Sequence, residues 1–352
     1  MTWLPDDVLT RLRAGIRFPD LGASRYRAIE LLGSGGMGTV WLAEDLNLNR
    51  RVALKVVDAE RSAGELAVRL EREAIVLARL EHPGIVPVHD AGLLPDGRAF
   101  YCMKYVEGQT LDRYVSHASL SDRLRLLPRV MEPLAFAHSK GIIHRDLKPA
   151  NIMIGAFGEV LIMDWGLAKV IADSRPNPNE AVRNGYEDGG DGVGTGEGSP
   201  AAPSIHHSSS ILHTTPATGQ GRVLGTPGYM APEQEHGQND RVDERADIYA
   251  LGAILNFLLS CPSDHAAASD SPSGPLRAIR DKAMASRPEE RYASVEEMSA
   301  DMIRYLEGRP VSVYREKLTE RAMRLFRRYE VAVVLVLVYL VMRLLLILFS
   351  RR

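Results

Sequence analysis

Residues 144–151 read His-Arg-Asp-Leu-Lys-Pro-Ala-Asn. Asp164-Trp165-Gly166 follows shortly, and Gly225-Thr226-Pro227-Gly228-Tyr229-Met230-Ala231-Pro232-Glu233 comes after a long gap. In that order the chain supplies a candidate proton acceptor in Asp146, a cation able to read phosphate in Lys148, and hard oxygen donors in Asn151 and Asp164. Any one of these has a bland reading as a polar loop residue. The ordered set does not.

Working upstream, residues 26–32 and 39–43 read as strands flanking Gly33-Ser34-Gly35-Gly36-Met37-Gly38, and residues 51–57 as a third strand. The series Gly33, Gly35, Gly38 alone is weak, because the same spacing marks dinucleotide folds. Its context separates the two, since a dinucleotide turn leads from strand into helix and this one leads from strand to strand. A glycine hairpin can lay backbone N–H groups over phosphates at close approach. Lys55, in Val52-Ala53-Leu54-Lys55, would neutralise those phosphates if a carboxylate held it in place. Glu65, Glu71 and Glu73 are the candidates for that partner. Residues 65–80 carry helical periodicity in Leu66, Leu70, Ile75, Leu77 and Leu80, and His82-Pro83-Gly84 stops it. Two more strands, 85–91 and 99–103, would surround a Pro95-Asp96-Gly97 turn and complete a small β-rich lobe.

From Leu111 the pattern is mainly helical. Residues 121–140 have an apolar face, but Pro128 and Pro133 fall inside it, and an interior proline costs about 3 kcal/mol, so a kink or break is expected. Ser294-Val295-Glu296-Glu297 reads as a capping box opening a helix through Met298, Met302 and Leu306. Residues 173–221 are rich in Gly, Ser, Pro, Asn and His, cannot bury enough surface to offset their ordering entropy, and read as a disordered insertion. The histidines there (His206, His207, His213) read as a solvated linker rather than a metal site.

The chain has 352 residues and a formal net charge of −2, which argues against nucleic acid as a partner. Its two cysteines, Cys102 and Cys261, give no disulfide framework. Residues 1–25 carry Asp6 and Asp7 and no continuous apolar core, so they read as an N-terminal extension and not a signal peptide. Residues 331–349 are apolar apart from Arg343, and 15 of them are Leu, Ile, Val or Phe. At roughly −0.3 to −0.6 kcal/mol each they outweigh the at most about +3.5 of one mid-membrane arginine. A transmembrane helix is expected, preceded over 311–330 by a basic helix whose stripe is Lys317, Arg321, Arg324 and Arg328. Positive charge on that side predicts a cytoplasmic position for the rest of the chain.

Taken together these motifs resemble the bacterial eukaryotic-like (Hanks-type) serine/threonine protein kinases over roughly residues 26–310. The resemblance implies an α+β, two-lobed protein-kinase fold: a small β-rich N-lobe (26–103) and a larger helical C-lobe (104–310), with 173–221 inserted in the activation segment and one C-terminal transmembrane helix (331–349). It implies ATP and Mg²⁺, or Mn²⁺, as cofactors. Asp146 would be the base, Lys148 and Lys55 the phosphate-directed cations, Glu73 the Lys55 partner, and Asn151 and Asp164 the metal ligands. Gly33, Gly35 and Gly38 would cover the nucleotide. Val40 and Ala53 would pack on adenine, with Met103 as gatekeeper and the backbone of Lys104 to Val106 as hinge. Thr226 fits a serine/threonine preference, Asp247 would support the catalytic loop, and Arg291 would pair with Glu233.

Phosphorylation at Thr218, Thr215 or Thr214 would regulate the segment by pairing with Arg145. Partners implied are proteins offering Ser or Thr hydroxyls and, through the C-terminal helix, membrane lipid. The expected location is a single-pass inner (plasma) membrane protein, and a homodimer is left open. Trp165 replaces the usual phenylalanine, Lys104 a frequent glutamate, and residues 259–276 are short and polar where the family docks substrates. These departures keep a second reading in view, a pseudokinase acting as a membrane scaffold, although Lys55, Asp146, Asn151 and Asp164 are all present.

Overall fold

The computed structural model describes residues 19, 21–22, 24–35, 38–57, 65–166, 168–170, 226–238, 241–261, 273–316, 321 and 330–350. Most of the 1–25 extension, the 173–221 insertion with Thr214, Thr215 and Thr218, and Lys317, Arg324 and Arg328 lie outside the described residues.

Strands β1 (Tyr26–Gly35), β2 (Gly38–Asp45), β3 (Arg50–Val56), β4 (Val88–Leu93) and β5 (Ala99–Lys104) form one antiparallel sheet in the order β1-β2-β3-β5-β4. Helix α1 (Glu65–Arg79) packs on β5 and β4. Strand alternation divides the sheet's residues between two jobs. Val52, Leu54 and Val56 of β3 join Phe100 and Cys102 of β5, with Trp41 and Tyr26, in an apolar cluster on one face. The alternate residues, Ala53 and Lys55 of β3 with Tyr101 and Met103 of β5, therefore share the other face, which looks toward α1 and the second lobe. Leu70, Ala74 and Leu77 bury one stripe of α1 at helical spacing, and Glu73 lies in that stripe. Ile75, placed by its periodicity on the apolar face, is 42% exposed instead. The helix is turned to present Glu73 to Lys55, and that rotation leaves Ile75 outside. The fourth strand begins at Val88, and Ile85 makes an isolated parallel bridge to Ile162 in the other lobe.

The second lobe begins with β6 (Gly108–Thr110) and the short α2 (Leu111–Tyr114), followed by α3 (Leu120–Ser139) and β7 (Ile142–Ile143). Strands β8 (Ile152–Gly155), β9 (Val160–Ile162) and β10 (Lys169–Val170) come next. Helices α4 (Pro232–Glu235), α5 (Arg245–Ser260), α6 (Gly274–Ala283) and α7 (Val295–Leu306) complete it. Helix α3 packs on α5 and α7 around Leu127, Met131, Leu134, Leu251, Leu255, Met298 and Met302. The Ser294 hydroxyl caps α7 by accepting from the Glu297 N–H, while the Glu297 carboxylate accepts from Ala293 N.

Three expectations need correction. Helix α3 runs unbroken through Pro128 and Pro133. Pro133 is buried, and its ring lies so close to Gly84 that a Cβ there would stand 2.8 Å from Pro133 Cγ; this packing offsets the missing backbone bond. Residues 311–316 are not the start of a basic helix but part of the folded lobe. Val311 is buried, and Ser312 donates through both N–H and hydroxyl to the buried Asp301, at 2.8 and 2.7 Å. Leu276, grouped with a polar loop, lies inside α6 and is buried.

At the other end of the chain, Leu21 is buried against Tyr26's cluster and Arg25 ion-pairs with Asp90, so the end of the extension belongs to the N-lobe. Helix α8 (Glu330–Ser350) coincides with the expected span, and its side chains at 334–343 and 346 are all exposed. Counting the described residues alone, no helix is long and apolar enough to cross a membrane.

The Gly84–Pro133 contact has a measurable consequence. Overpacking of this kind costs about 1–3 kcal/mol, so Gly84→Ala should lower the thermal midpoint followed by circular dichroism. Adding Pro133→Ala should recover part of that loss, and a Gly84→Ala protein as stable as its parent would contradict the packing described.

Candidate active site

Two clusters of charge face each other across the cleft. In the first, Lys55 Nζ donates to Glu73 Oε1 and Oε2, both at 2.9 Å, and to Asp164 Oδ1 at 2.9 Å. The Tyr101 hydroxyl donates to Glu73 Oε1 at 2.7 Å, and Lys55 Nζ lies 5.6 Å from the Tyr101 ring centroid. Burial of Lys55 would favour its neutral form, but the Glu73 and Asp164 carboxylates outweigh that and hold it protonated well above its usual range. Asp164, although burial pushes its carboxyl up, is held below the usual carboxylate range by Lys55. Among the carboxylates weighed as Lys55's partner, Glu73 is bonded to it and lies in the buried stripe of α1, whereas Glu71 is exposed.

The second cluster sits on the loop after β7. Asp146 Oδ2 accepts from Lys148 Nζ at 2.8 Å. The Thr226 hydroxyl donates to Asp146 Oδ1 at 2.8 Å and itself accepts from Lys148 Nζ at 2.7 Å. Asn151 is buried and donates through its amide nitrogen to the Asp146 carbonyl at 2.9 Å, which leaves its amide oxygen for a cation. Asn151 and Asp164 are brought together by the backbone bond from Met163 N to Asn151 O at 2.9 Å. An amide oxygen and a carboxylate are hard donors of the kind Mg²⁺ prefers. Among the described residues no group of three or more His, Cys, Asp or Glu could hold a metal, so a cation here would complete its shell with phosphate oxygens and water.

Asp247, in the first turn of α5, holds this loop. It is fully buried and accepts from His144 N at 2.8 Å and Arg145 N at 2.9 Å, and its Oδ2 pairs with His138 Nε2 at 2.8 Å. Burial alone would raise its carboxyl, but the bonds from His138 and the backbone hold it below its ordinary value. Arg145 has φ 70° and Asp164 φ 60°, left-handed values that cost a non-glycine residue on the order of 1–2 kcal/mol. Such strain persists only where surrounding bonds fix it. The two bonds to Asp247 do so for the first loop, and the Lys55 ion pair for the second. From Arg145 O the order continues through Gln234, which donates to it at 2.9 Å, to the buried bidentate pair of Arg291 and Glu233 at 2.7 and 2.8 Å.

The glycine hairpin lies at the mouth. Gly38 has φ +136°, and a Cβ on it would stand 2.2 Å from the Val56 carbonyl oxygen, so only glycine fits. Gly33 pairs with Val40 and Gly35 with Gly38 across the hairpin. Val40 lies opposite Lys55 and Ala53 opposite Met103 on neighbouring strands. Met103 joins an apolar patch of Val86, Val106 and Leu161 with Met153 and Met163, at the point where β5 leaves the small lobe. Lys104 N donates to Pro87 O at 3.1 Å.

Every expected site residue that is described falls in this region. Sequence reasoning missed Tyr101, Gln234, His138 and the Met153–Met163 floor. Only alternation along β5, continued from Met103, could have pointed to Tyr101. Trp165 is buried with its ring 4.7 Å from the His144 ring, and its indole N–H has no hydrogen-bond partner among the described residues. Cys102 and Cys261 are free thiols.

Comparison with known proteins agrees with this geometry. Residues 26–187 match the family described as protein kinase domain. The chain is 33% identical over 341 residues to the serine/threonine-protein kinase PknD of Chlamydia muridarum, covering 87% of this chain and 34% of that protein. It is 35% identical over 316 residues to the serine/threonine-protein kinase PknB of Mycobacterium tuberculosis, covering 82% of this chain and 44% of that one. The chain thus spans well under half the length of these relatives. The crystal structure of the Mycobacterium tuberculosis PknI kinase domain shares the fold, with a TM-score of 0.53 at 23% identity over 82% of this chain and 99% of that domain.

Proposed function

We propose that this chain, which belongs to the bacterial eukaryotic-like (Hanks-type) serine/threonine protein kinases, transfers the γ-phosphate of ATP to Ser or Thr hydroxyls of proteins, itself included. The observation that carries this reading is Asp146, whose two carboxylate oxygens are aimed by Thr226 and Lys148 beside the Asn151–Asp164 donor pair. In the transfer, the bond from the substrate oxygen to Pγ forms as the bond from Pγ to the β-phosphate bridging oxygen breaks. The hydroxyl proton passes to Asp146, and ADP leaves with the bridging oxygen. Lys148 stabilises charge on the moving phosphoryl group, and Lys55, held by Glu73, takes the α- and β-phosphates. Mg²⁺ bound through Asn151 and Asp164 would neutralise the phosphate oxygens. Gly33, Gly35 and Gly38 cover the phosphates, while Val40, Ala53 and Met103 enclose adenine above the Met153–Met163 floor. The backbone of Lys104 and Val106 is the hinge that meets the base. Thr226, bonded to Asp146 and Lys148, would stand beside the incoming hydroxyl, which favours a small hydroxyl substrate over tyrosine.

The full chain in detergent micelles, given γ-labelled ATP and Mg²⁺, should label itself or a generic Ser/Thr substrate, while an Asp146→Asn copy should lose that label by a factor of about 10² or more. Folded parent protein that binds ATP yet labels nothing would favour the scaffold reading over catalysis.

We also infer that α8 anchors the chain in a bilayer with the kinase domain cytoplasmic. What supports this is the sequence run 331–349, apolar apart from Arg343, together with ten consecutive exposed side chains at 334–343. The expected result is retention of the full chain in membranes after alkaline carbonate washing. Recovery in the soluble fraction without detergent would overturn the anchor.

A further inference from the structure

Glu73 is served unequally on its two oxygens. Among the described residues Oε2 accepts from Lys55 alone, whereas Oε1 accepts from both Lys55 and the Tyr101 hydroxyl, at 2.9 and 2.7 Å. Lysine has three N–H donors, and all three of Lys55's are engaged here, two by Glu73 and one by Asp164. A nucleotide that needs Lys55 must draw donors away from these carboxylates. Asp164 can turn to a cation, but Glu73 is 2% exposed and cannot turn to water. A buried carboxylate oxygen left without a donor carries a large desolvation penalty. Burial already pushes the Glu73 carboxyl up, and only Lys55 and Tyr101 pull it back toward ionisation.

We infer that Tyr101 is a positioning residue for nucleotide binding: its hydroxyl holds Glu73 Oε1, so that Lys55 can turn an N–H to the nucleotide phosphates without stranding that oxygen. The inference rests on the kinase reading and deepens it. Tyr101 sits on β5 two residues before Met103, and alternation points both into the same cleft. Its ring, 1% exposed, packs in the large apolar cluster with Leu70 and Leu77 of α1. The hydroxyl therefore has a fixed place rather than a choice of partners. Tyr101, from the sheet, and Lys55, from the neighbouring strand, together hold one carboxylate on α1.

Tyr101→Phe isolates the hydroxyl, because it keeps the ring, its packing and its contact with the Lys55 ammonium. The test measures Mg·ATP affinity by calorimetry, KM and kcat in the full chain in micelles, for the parent, Tyr101→Phe, Glu73→Gln and the double variant, with thermal midpoints confirming that all four are folded. A charge-assisted hydrogen bond of this kind predicts that Tyr101→Phe raises Kd and KM for Mg·ATP about tenfold. It predicts kcat at saturating ATP within about threefold of the parent, because ground-state binding and not the transfer step is affected. In the Glu73→Gln background the same change should alter Kd by less than about twofold, because the partner is gone. An unchanged Kd in Tyr101→Phe, or the same loss in both backgrounds, would overturn the inference and make Tyr101 a packing residue. A folded parent that neither binds Mg·ATP nor transfers phosphate would overturn the kinase reading itself, whatever Tyr101→Phe does.

Discussion

One buried carboxylate, that of Asp247, holds the loop on which the chemistry depends. It is enclosed at the start of α5 and accepts the backbone N–H groups of His144 and Arg145. Without it, two buried donors would be stranded, and the left-handed backbone at Arg145 would lose the bond that holds its N–H. Asp146 follows directly, and its direction is set by that turn. The same loop hands order onward from the Arg145 carbonyl to Gln234 and so to the neighbouring Glu233–Arg291 pair. An ion pair enclosed this deeply contributes little net stability, since desolvation offsets attraction. Its use is to fix one arrangement of the segment that carries Thr226 to Asp146.

The nucleotide side of the cleft is anchored differently, from the small lobe. Lys55 and Glu73 meet because β3 and α1 share the face of the sheet left free by its apolar cluster. The two anchors join at Asp164, which pairs with Lys55 from one lobe while its loop is bonded to Asn151 in the other. Backbone bonds from Ile162 N to Gly84 O at 2.8 Å and from Val86 N to Ile162 O at 3.3 Å tie the same strand to the segment after α1. The relative position of the Lys55 and Asp146 clusters is therefore set by a few short connections, which would suit the proposed reaction, whose catalysis is positioning and electrostatics.

Much of this was legible from the chain alone, because the candidate site residues are polar types in a fixed order and their spacing survives any detail of packing. The β-rich lobe was legible for the same reason, from alternation and turn residues. Other features depend on tertiary contact and left no local signal. Pro133 reads as a helix breaker until Gly84 is seen against its ring. Ile75 reads as core until Glu73 is seen to claim the buried stripe. Residues 311–316 read as the start of a basic helix until Ser312 is found satisfying Asp301. Tyr101 looks like any aromatic strand residue until its hydroxyl is placed on Glu73. Trp165 reads as an apolar substitute for phenylalanine, yet it brings an indole N–H into the core that meets no acceptor among the described residues.

The central claim is that Asp247 orders the transfer step while the Lys55–Glu73 pair orders nucleotide binding, so the two should separate. The measurement is the single-turnover rate of phosphate transfer at saturating Mg·ATP, taken with Mg·ATP affinity, for Asp247→Asn beside the parent. Asparagine keeps the shape but turns one of the two acceptor oxygens into a donor, facing the N–H of either Arg145 or His144. A misplaced base predicts a rate lower by about 10² with affinity within about threefold. An unchanged rate, or an affinity that collapses with it, would contradict the account.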